Sequence, residues 1–363
     1  MKKDSEEIML MKGNEAIAHA AIRCGCDGYF GYPITPQSEV METLMELEPW
    51  NTTGMVVLQA ESEVASINMV YGAAGCGKKA MTSSSSPGVS LMQEGISYMA
   101  GAELPGVIVN VMRGGPGLGT IQPSQADYFQ AVKGGGHGDY KMPTLAPASV
   151  QEMADLTVLA FDLAFKYRTP TMLLADGIIG QMMEKVVLPP YQSRLTEDEI
   201  RVKCPWATLG KPHGKKPNHI TSLELLSEDM ENLNKRLQTR YRILEKEEVR
   251  FEEIACEDAD YVFVAFGISA RVCQKAVEIA RNEGIKAGLL RPITLYPFPV
   301  EKIKELSNRV KGFISVELSA GQMVEDVRLA VNGKVPVEFY GRMGGVVPSP
   351  NEAFNALKDK LIQ

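Results

Sequence analysis

The sequence has few cysteines and histidines, and neither type is arranged as a metal site. The six cysteines lie at positions 24, 26, 76, 204, 256 and 273 without a CxxC pair, and the four histidines are dispersed. Iron–sulfur clusters and structural zinc need three or four such ligands at characteristic spacings. We therefore expect the chain to carry no cluster and no metal of its own, with its cysteines reduced and mostly buried.

Long apolar runs and an excess of positive charge are also missing. No run reaches the ~18 residues that can span a bilayer, and the first segment, MKKDSEEIMLMKGNEA, lacks the uninterrupted hydrophobic region of a signal peptide. The formal net charge of −7 disfavours nonspecific binding to nucleic acid or to an anionic membrane. We therefore expect a cytoplasmic protein with no nucleic-acid partner and no membrane partner.

The pattern of apolar segments predicts the domain organisation. A chain of 363 residues is too long for one ordinary core. Residues 1–190 alternate apolar strand candidates with helical stretches, which is typical of a parallel sheet covered on both faces. Residues 191–256 form a charged linker with a long helix predicted over residues 222–253, and residues 257–363 restart the alternation. The predicted fold class is α/β, with two parallel-sheet domains.

The stretch GYPITPQSEV, residues 31–40, lies where a strand should give way to a helix. Thr35 at the N-cap and Pro36 at the first helical position would be explained structurally, because threonine accepts bonds from free N–H groups and proline has none. Pro33 is explained less well, since the carboxyl ends of strands in an open α/β sheet are where ligands bind. Two interpretations of Thr35 therefore remain, a helix cap and a ligand contact.

Two further residues follow predicted strands. Glu63 begins a helix after the strand candidate 54–60, where a partly buried carboxylate can share a proton with a ligand nitrogen or simply favour the helix N-terminus. Arg113 ends the strand candidate 106–112, where a guanidinium can bind a carboxylate or form a surface salt bridge. Because parallel strands end at one edge of a sheet, Thr35, Glu63 and Arg113 together predict a site for a small acid and a nitrogenous cofactor.

Two glycine-rich segments match nucleotide-binding motifs only in part. GAAGCGKK, residues 72–79, has Lys79 where the phosphate-loop pattern needs Ser or Thr, and it lies at the end of a predicted helix. RGGPGLGT, residues 113–120, does not match GxGxxG, although its glycines would let a ligand approach the backbone closely. A nucleotide triphosphatase is therefore disfavoured.

Several of these motifs together resemble the alpha-type subunit of the 2-oxoacid:ferredoxin oxidoreductases. The resemblance extends over nearly the whole chain and is carried by GYPITPQSE, QAESEVASINMVYGAA, TSSSSPGVSLMQEGISYMAGAELPGVIVNVMRGGPG and GGGHGDY. It implies that residues 1–190 form a pyrimidine-binding domain for thiamine diphosphate. PITLYPFP and ISVELSAGQM are similar to the family's second domain, so residues 257–363 are implied to form a transketolase C-terminal-like domain.

The resemblance also implies roles for individual residues. Glu63 would bond the aminopyrimidine ring nitrogen of the cofactor as the catalytic residue, and Thr35 and Arg113 would lie near the substrate carboxylate. The implied cofactor-binding residues are Pro33, Glu63, Ser86 and Gly88. The implied reaction is the oxidative decarboxylation of a 2-oxoacid to its acyl-CoA, with electrons passed through iron–sulfur clusters to ferredoxin.

The chain lacks parts that this reaction requires. The GDG motif that holds magnesium and the diphosphate has only the near matches CDG, residues 26–28, and ADG, residues 175–177. The resemblance therefore implies a thiamine diphosphate-binding beta-type subunit that brings magnesium, together with ferredoxin-like and gamma-type subunits that bring the clusters. Coenzyme A, the 2-oxoacid and ferredoxin are the further implied partners.

The substrate is implied less directly than the reaction. The serines at 83–86 and the segment GGPGLGTIQPSQADYF resemble the branched-chain, 3-methyl-2-oxobutanoate group more than the 2-oxoglutarate group. Activity on pyruvate, 2-oxoglutarate or an aromatic 2-oxoacid remains an alternative. A non-catalytic assembly subunit that kept the fold is another.

Overall fold

The computed structural model describes residues 7–211 and 216–362. The strands are β1 Ile8–Lys12, β2 Gly28–Gly31, β3 Val56–Gln59, β4 Ala80–Ser84, β5 Gly106–Met112, β6 Thr144–Leu145, β7 Pro170–Asp176, β8 Met183–Val187, β9 Phe251–Ile254, β10 Tyr261–Val264, β11 Ala287–Pro292, β12 Thr294–Tyr296, β13 Gly312–Glu317 and β14 Val337–Gly341.

Helices connect and cover these strands. They are α1 Gly13–Arg23, α2 Ser38–Leu47, α3 Pro49–Thr52, α4 Glu63–Gly75, α5 Ser86–Gly101, α6 Tyr128–Val132, α7 Val150–Tyr167, α8 Gly177–Gln181, α9 Glu197–Lys203, α10 Ser227–Glu247, α11 Gly267–Asn282, α12 Val300–Leu306, α13 Met323–Val331 and α14 Pro350–Leu357, followed by a π-helical turn, Lys358–Ile362. In the described part of the chain, no helix combines the length and the apolar character needed to cross a membrane.

The larger sheet fixes the position of the loops that follow its strands. Its order is β12-β6-β7-β5-β4-β2-β3, and all neighbours are parallel except β12 and β6. β5 and β7 are buried at every position, as expected for apolar strands covered by helices on both faces. β3 is an edge strand. Because β5, β4, β2 and β3 are neighbours, the segments that follow them lie side by side at one edge of the sheet.

A smaller sheet forms the C-terminal domain. Its order is β14-β13-β10-β11-β9, and β9 alone runs antiparallel to its neighbour. The sequence places β9 in the linker, so the proposed boundary at residue 256 falls after the first strand of this sheet. β12 leaves the C-terminal region to pair with β6 of the larger sheet. β1 and β8 pair with each other as a separate antiparallel ribbon.

The helix predicted over residues 222–253 is wrong at both ends. α10 begins at Ser227, after Leu226 in an extended conformation, and it ends at Glu247. It buries one stripe of side chains at helical spacing, Leu233, Leu237, Tyr241 and Leu244. The earlier leucines at 223 and 225 are exposed and precede the helix. The residues beyond it form β9 instead, because pairing with β11 satisfies their backbone groups.

Polar side chains connect the domain of the larger sheet to the C-terminal domain. The side chain of Gln125 donates to the carbonyl of Phe266 at 2.8 Å and accepts from the N–H of Leu318 at 3.1 Å. The Arg291 guanidinium on β11 makes a bidentate pair with the Glu152 carboxylate on α7, at 2.7 and 2.8 Å. The bond between Gln125 and Leu318 places the end of β13 beside the loop that follows β5.

Asp176, the last residue of β7, is a buried carboxylate at the same junction. It accepts bonds from the N–H of Ile179 at 3.1 Å and from the N–H of Ile268, at the start of α11, at 2.8 Å. Burial raises the pKa of Asp176 to about 6, against its usual 3.8, although these N–H donors oppose the shift. The folded protein therefore binds this proton more tightly than the unfolded chain does.

The pKa of Asp176 predicts how stability depends on pH. Its contribution is fully present below the unfolded pKa near 4 and is lost as the pH rises through about 6, a loss of about 3 kcal/mol. We expect Asp176→Asn to remove this part of the pH dependence. The measurement is the urea unfolding midpoint between pH 4.5 and 7.5, with Asp198→Asn on an exposed helix as the control. Parallel wild-type and Asp176→Asn profiles would contradict the prediction.

Candidate functional site

Four neighbouring strands deliver the predicted site residues to one edge of the larger sheet. Residues 32–37 follow β2, residues 60–63 follow β3, residues 85–88 follow β4, and Arg113 follows β5. The carboxyl edge of a parallel sheet is the usual ligand edge of such folds. The structure therefore brings together the segments that hold Thr35, Glu63, Gly88 and Arg113.

Glu63 is a buried carboxylate at the start of a helix. Ser62 caps α4 by accepting a bond from the N–H of Ala65 at 3.2 Å, which fixes Glu63 as the first helical residue. The Glu63 residue is 6% exposed. Within residues 7–211 and 216–362, its carboxylate accepts no hydrogen bond. Burying an unpaired carboxylate is costly, so this arrangement suits a ligand that donates a hydrogen bond.

Gly88 lies directly against Glu63. A Cβ atom on Gly88 would come within 2.6 Å of Oε1 of Glu63 and within 2.1 Å of Oγ of Ser84. Real Cβ atoms do not approach other atoms this closely, so only glycine leaves room for the carboxylate here. Gly88 therefore shapes the space around Glu63, and its role in cofactor binding, which the family resemblance implies, stays a prediction.

We predict that Gly88→Ala displaces Glu63 without unfolding the protein. The new methyl group must push Glu63 or Ser84 aside, while alanine itself favours the first turn of α5. The expected result is at least a tenfold weaker affinity for thiamine diphosphate in calorimetry of the assembled complex. Gly72→Ala on α4, where a Cβ would meet nothing within 4 Å, is the control. Equal affinities in the two variants would refute the prediction.

Arg113 is a buried guanidinium that has no acidic partner in the described part of the chain. It is 8% exposed, and its Nη1 and Nη2 atoms donate to the carbonyls of Thr35 at 3.0 Å and Leu118 at 3.1 Å. Its Nε has no acceptor, and no ion pair with a carboxylate forms among the described residues. A buried cation without a counter-ion is unfavourable, so the position suits an anionic ligand.

Ser86 holds the backbone of Arg113. Its hydroxyl accepts from the N–H of Arg113 at 3.0 Å and is within 3.2 Å of the Arg113 carbonyl, to which it donates. The family resemblance implies that Ser86 contacts the cofactor. Hydrogen bonds of its hydroxyl connect Ser86 to Arg113 and to Asp127, and its role toward the cofactor stays a prediction.

Thr35 and Pro33 are exposed in the segment after β2. The cap interpretation of Thr35 is wrong, because α2 begins at Ser38 with Gln37 as its N-cap. The Gln37 side chain is buried instead, where its Nε2 donates to the carbonyl of Tyr32 at 3.2 Å and thereby folds the segment inward. Thr35 contacts Arg113 through its carbonyl. Its hydroxyl is free to meet a ligand, as the second interpretation requires.

A cavity of about 470 Å³ opens beside Arg113 between the two domains. The larger domain contributes Ser86, Arg113 and the glycine-rich loop, and the C-terminal domain contributes Leu318 and Met343. This second wall could not be seen in the sequence, because residues 193 positions apart make the contact between the domains. Glu63 does not line this cavity.

Sequence reasoning missed Asp127 and Asn110, which also belong to this region. Asp127 lines the cavity, and its Oδ2 accepts from Nδ2 of Asn110, a fully buried residue of β5, at 2.9 Å. Burial raises the pKa of Asp127, although donors on Ser86 and Asn110 oppose the shift. The signal available in the sequence was the single polar residue in the strand GVIVNVM.

The thiols and carboxylates of the described residues form no metal site. All six cysteines are free, and five of them are buried. No group of three or more histidine, cysteine, aspartate or glutamate residues within that part of the chain is placed to hold a metal ion.

Comparison with known proteins links this geometry to a chemistry. The family described as pyruvate flavodoxin/ferredoxin oxidoreductase, thiamine diphosphate-binding, matches residues 19–239, and pyruvate:ferredoxin oxidoreductase core domain II matches residues 259–353. The ketoisovalerate oxidoreductase subunit VorB of Methanothermobacter marburgensis is 54% identical over 336 residues, with 93% of each chain covered. The 2-oxoglutarate synthase subunit KorA of Archaeoglobus fulgidus is 39% identical, with 93% of this chain and 96% of that relative covered.

Solved structures show the same fold. The 2-oxoglutarate:ferredoxin oxidoreductase from Magnetococcus marinus, with 2-oxoglutarate, coenzyme A and succinyl-CoA bound, is 28% identical with a TM-score of 0.85. The match covers 99% of this chain but only 66% of that one, so this chain spans about two thirds of its length. An inactive β4 tetramer of a split-gene transketolase, 14% identical with a TM-score of 0.61, is similar in fold alone.

Proposed function

Because this chain belongs to the alpha-type subunits of the 2-oxoacid:ferredoxin oxidoreductases, which depend on thiamine diphosphate, we propose that it forms the pyrimidine-binding half of an active site for 3-methyl-2-oxobutanoate. The observation that carries the site is the buried Glu63 carboxylate, which has no donor among the described residues. The substrate rests on the higher identity to the ketoisovalerate oxidoreductase subunit, 54%, than to the 2-oxoglutarate synthase subunit, 39%.

The residues at the sheet edge fit the pyrimidine end of thiamine diphosphate. Glu63 would hold a proton between its carboxylate and the ring nitrogen, which favours proton removal within the cofactor. Gly88 leaves the space that this approach requires. When bound, thiamine diphosphate supplies the nucleophile and the electron sink for decarboxylation of a 2-oxoacid. Pro33 and Ser86 lie on the segments that flank this space, and we assign them to its walls.

Arg113 and Thr35 would bind the substrate. The unpaired Nε of Arg113 can donate to the carboxylate of a 2-oxoacid, while Nη1 and Nη2 stay fixed on main-chain carbonyls. The Thr35 hydroxyl can donate to the same carboxylate, because the Thr35 backbone is already fastened to Arg113. Holding the carboxylate in this way orients the neighbouring 2-oxo carbon toward the cofactor.

A thiamine diphosphate-binding beta-type subunit would complete the site. The exposed edge strand β3 carries Val56 and Leu58, 49% and 41% exposed, and the start of α4 carries the exposed Val64. These apolar side chains lie close to Glu63 in sequence and fit a partner surface that brings magnesium and the diphosphate site. Ferredoxin-like and gamma-type subunits would bring the iron–sulfur clusters, coenzyme A would accept the acyl group, and ferredoxin would take the electrons. The six free thiols suit the reducing cytoplasm, where we place the complex.

The test is an anaerobic assay of the assembled, cluster-loaded complex for coenzyme A-dependent reduction of a viologen dye. We expect kcat/KM for 3-methyl-2-oxobutanoate to exceed that for pyruvate, 2-oxoglutarate and phenylpyruvate by at least about tenfold, the discrimination that one or two methylene groups allow. Faster turnover of another 2-oxoacid would overturn the substrate assignment. No turnover of any 2-oxoacid would identify a non-catalytic assembly subunit.

A further inference from the structure

The hydroxyl groups of β4 are satisfied on one face of the strand and unsatisfied on the other. Ser83 accepts a bond from the Tyr29 hydroxyl at 2.7 Å and donates to Oε1 of Gln37 at 2.5 Å. Thr82 and Ser84, which point to the opposite face, are fully buried, and their hydroxyls have no partner. Alternation along a strand places Thr82 and Ser84 on the same side.

An unpaired buried hydroxyl is unfavourable. Leaving such a group without a partner costs its desolvation free energy, because the hydrogen bonds that it made to water are not replaced. Buried polar groups are nearly always hydrogen-bonded, so each exception calls for an explanation such as a catalytic role. For the Ser84 hydroxyl, we look for the explanation in a second unpaired polar group that lies beside it.

Ser84 and Glu63 converge on one point. The position of a Cβ atom on Gly88 lies 2.1 Å from Oγ of Ser84 and 2.6 Å from Oε1 of Glu63. Among the described residues, the Ser84 hydroxyl has no hydrogen-bond partner and the Glu63 carboxylate accepts no hydrogen bond. Ser84 is fully buried and Glu63 is 6% exposed, and both atoms lie against the space that a Gly88 side chain would fill.

We propose that Ser84 is a positioning residue whose hydroxyl donates a hydrogen bond to the Glu63 carboxylate when the aminopyrimidine ring of thiamine diphosphate is bound. This inference rests on the proposed function of Glu63. A carboxylate that shares a proton with a ring nitrogen through one oxygen can still rotate about its Cγ–Cδ bond. A donor on the second oxygen stops that rotation, and a donor on a buried strand does so with little movement of its own.

The test compares two side chains of the same shape at position 84 in the assembled complex. Threonine keeps the hydroxyl and valine replaces it by a methyl group, so Ser84→Thr and Ser84→Val differ only in the proposed bond. A hydrogen bond to a charged group contributes about 1.5–3 kcal/mol, equivalent to about 10–100-fold. We expect Ser84→Val to weaken thiamine diphosphate binding in calorimetry about 10–100-fold relative to Ser84→Thr and to lower kcat, with the KM for the 2-oxoacid unchanged.

Thr171→Val is the matched control. Thr171 lies on β7, is fully buried and also has an unpaired hydroxyl, but it is not at the carboxyl edge of the sheet. We expect its variant to keep the wild-type affinity and kcat. If Ser84→Val does not assemble, Ser84→Ala makes the same test without added volume.

The possible outcomes separate this inference from the proposed function. Equal cofactor affinities in Ser84→Thr and Ser84→Val would overturn the role of the hydroxyl, whether both are normal or both are impaired. If Glu63→Gln abolishes turnover while Ser84→Val remains normal, only the Ser84 inference falls. If Glu63→Gln itself keeps full turnover, the proposed function falls first.

Discussion

Replacing Glu63 by glutamine is expected to lower kcat of the assembled complex by about 10²–10⁴-fold, the usual contribution of a positioned acid or base. Glutamine has almost the same volume, so the packing against Gly88 is kept. It cannot hold a proton between its side chain and a ring nitrogen, however, because an amide does not exchange roles between donor and acceptor as a carboxyl group does. The measurement is viologen reduction with 3-methyl-2-oxobutanoate at saturating thiamine diphosphate.

Glu61→Gln is the control for this experiment. Glu61 is exposed and lies two residues before Glu63, so its variant carries the same chemical change outside the buried position. We expect it to retain wild-type turnover, and both variants to unfold at the wild-type temperature. Wild-type turnover in Glu63→Gln would mean that the buried carboxylate has no part in the reaction.

The residues at the carboxyl edge of the larger sheet could be predicted from sequence, because each of them lies close in sequence to the strand that positions it. Each of these strands is followed, at once or within a short segment, by a polar residue, and parallel strands end together. The structure accordingly brings Thr35 and Arg113 into direct contact and places Glu63 beside Gly88. The wrong prediction that Thr35 caps α2 also rested on neighbouring residues alone. The sequence pattern placed the cap at the residue best suited to it, whereas the buried side chain of Gln37 moved the start of α2 by two residues.

The contribution of the C-terminal domain could not be predicted from local patterns. Leu318 and Met343 close the cavity beside Arg113, and Gln125 ties them to the larger domain through the backbone of Leu318. The same limitation applies to β9 and β12, whose partners were not visible in their own residues. Periodicity shows which face of a strand is buried, but it does not identify the neighbouring strand.

Unpaired polar atoms were also beyond the reach of the sequence. A run of serines at 83–86 could be recognised as unusual, yet the pattern could not tell which hydroxyls find partners. The structure separates Ser83, which is bonded on both sides, from Ser84, which is bonded on neither. We infer function from that difference, because a buried hydroxyl without a partner can still form a hydrogen bond when a ligand binds or a neighbouring side chain moves.

Arg113→Lys is expected to lower kcat/KM for the 2-oxoacid by about 100-fold, mainly through a higher KM. Arginine uses two nitrogen atoms to hold the carbonyls of Thr35 and Leu118 and keeps Nε for the substrate. Lysine has one ammonium group and cannot span both carbonyls and a carboxylate in the same fixed geometry. This change corresponds to a loss of about 3 kcal/mol in transition-state stabilisation. It combines the loss of a buried, charge-assisted hydrogen bond with the loss of the fixed loop conformation that Arg113 maintains.

Steady-state kinetics with 3-methyl-2-oxobutanoate at varied concentration separates KM from kcat for this variant. Arg271→Lys supplies the matched control, because Arg271 is a half-exposed arginine that bonds the carbonyl of Ala148 and the Glu184 carboxylate and does not line the cavity beside Arg113. We expect it to leave both constants unchanged, and Arg113→Lys to leave the affinity for thiamine diphosphate unchanged. An unaltered KM in Arg113→Lys would show that the substrate carboxylate binds elsewhere, and a weakened cofactor affinity would assign Arg113 to the cofactor instead. The expected result is a raised KM together with normal cofactor binding. That result requires Glu63 and Arg113 to have separate ligands, with Glu63 binding the cofactor and Arg113 binding the 2-oxoacid.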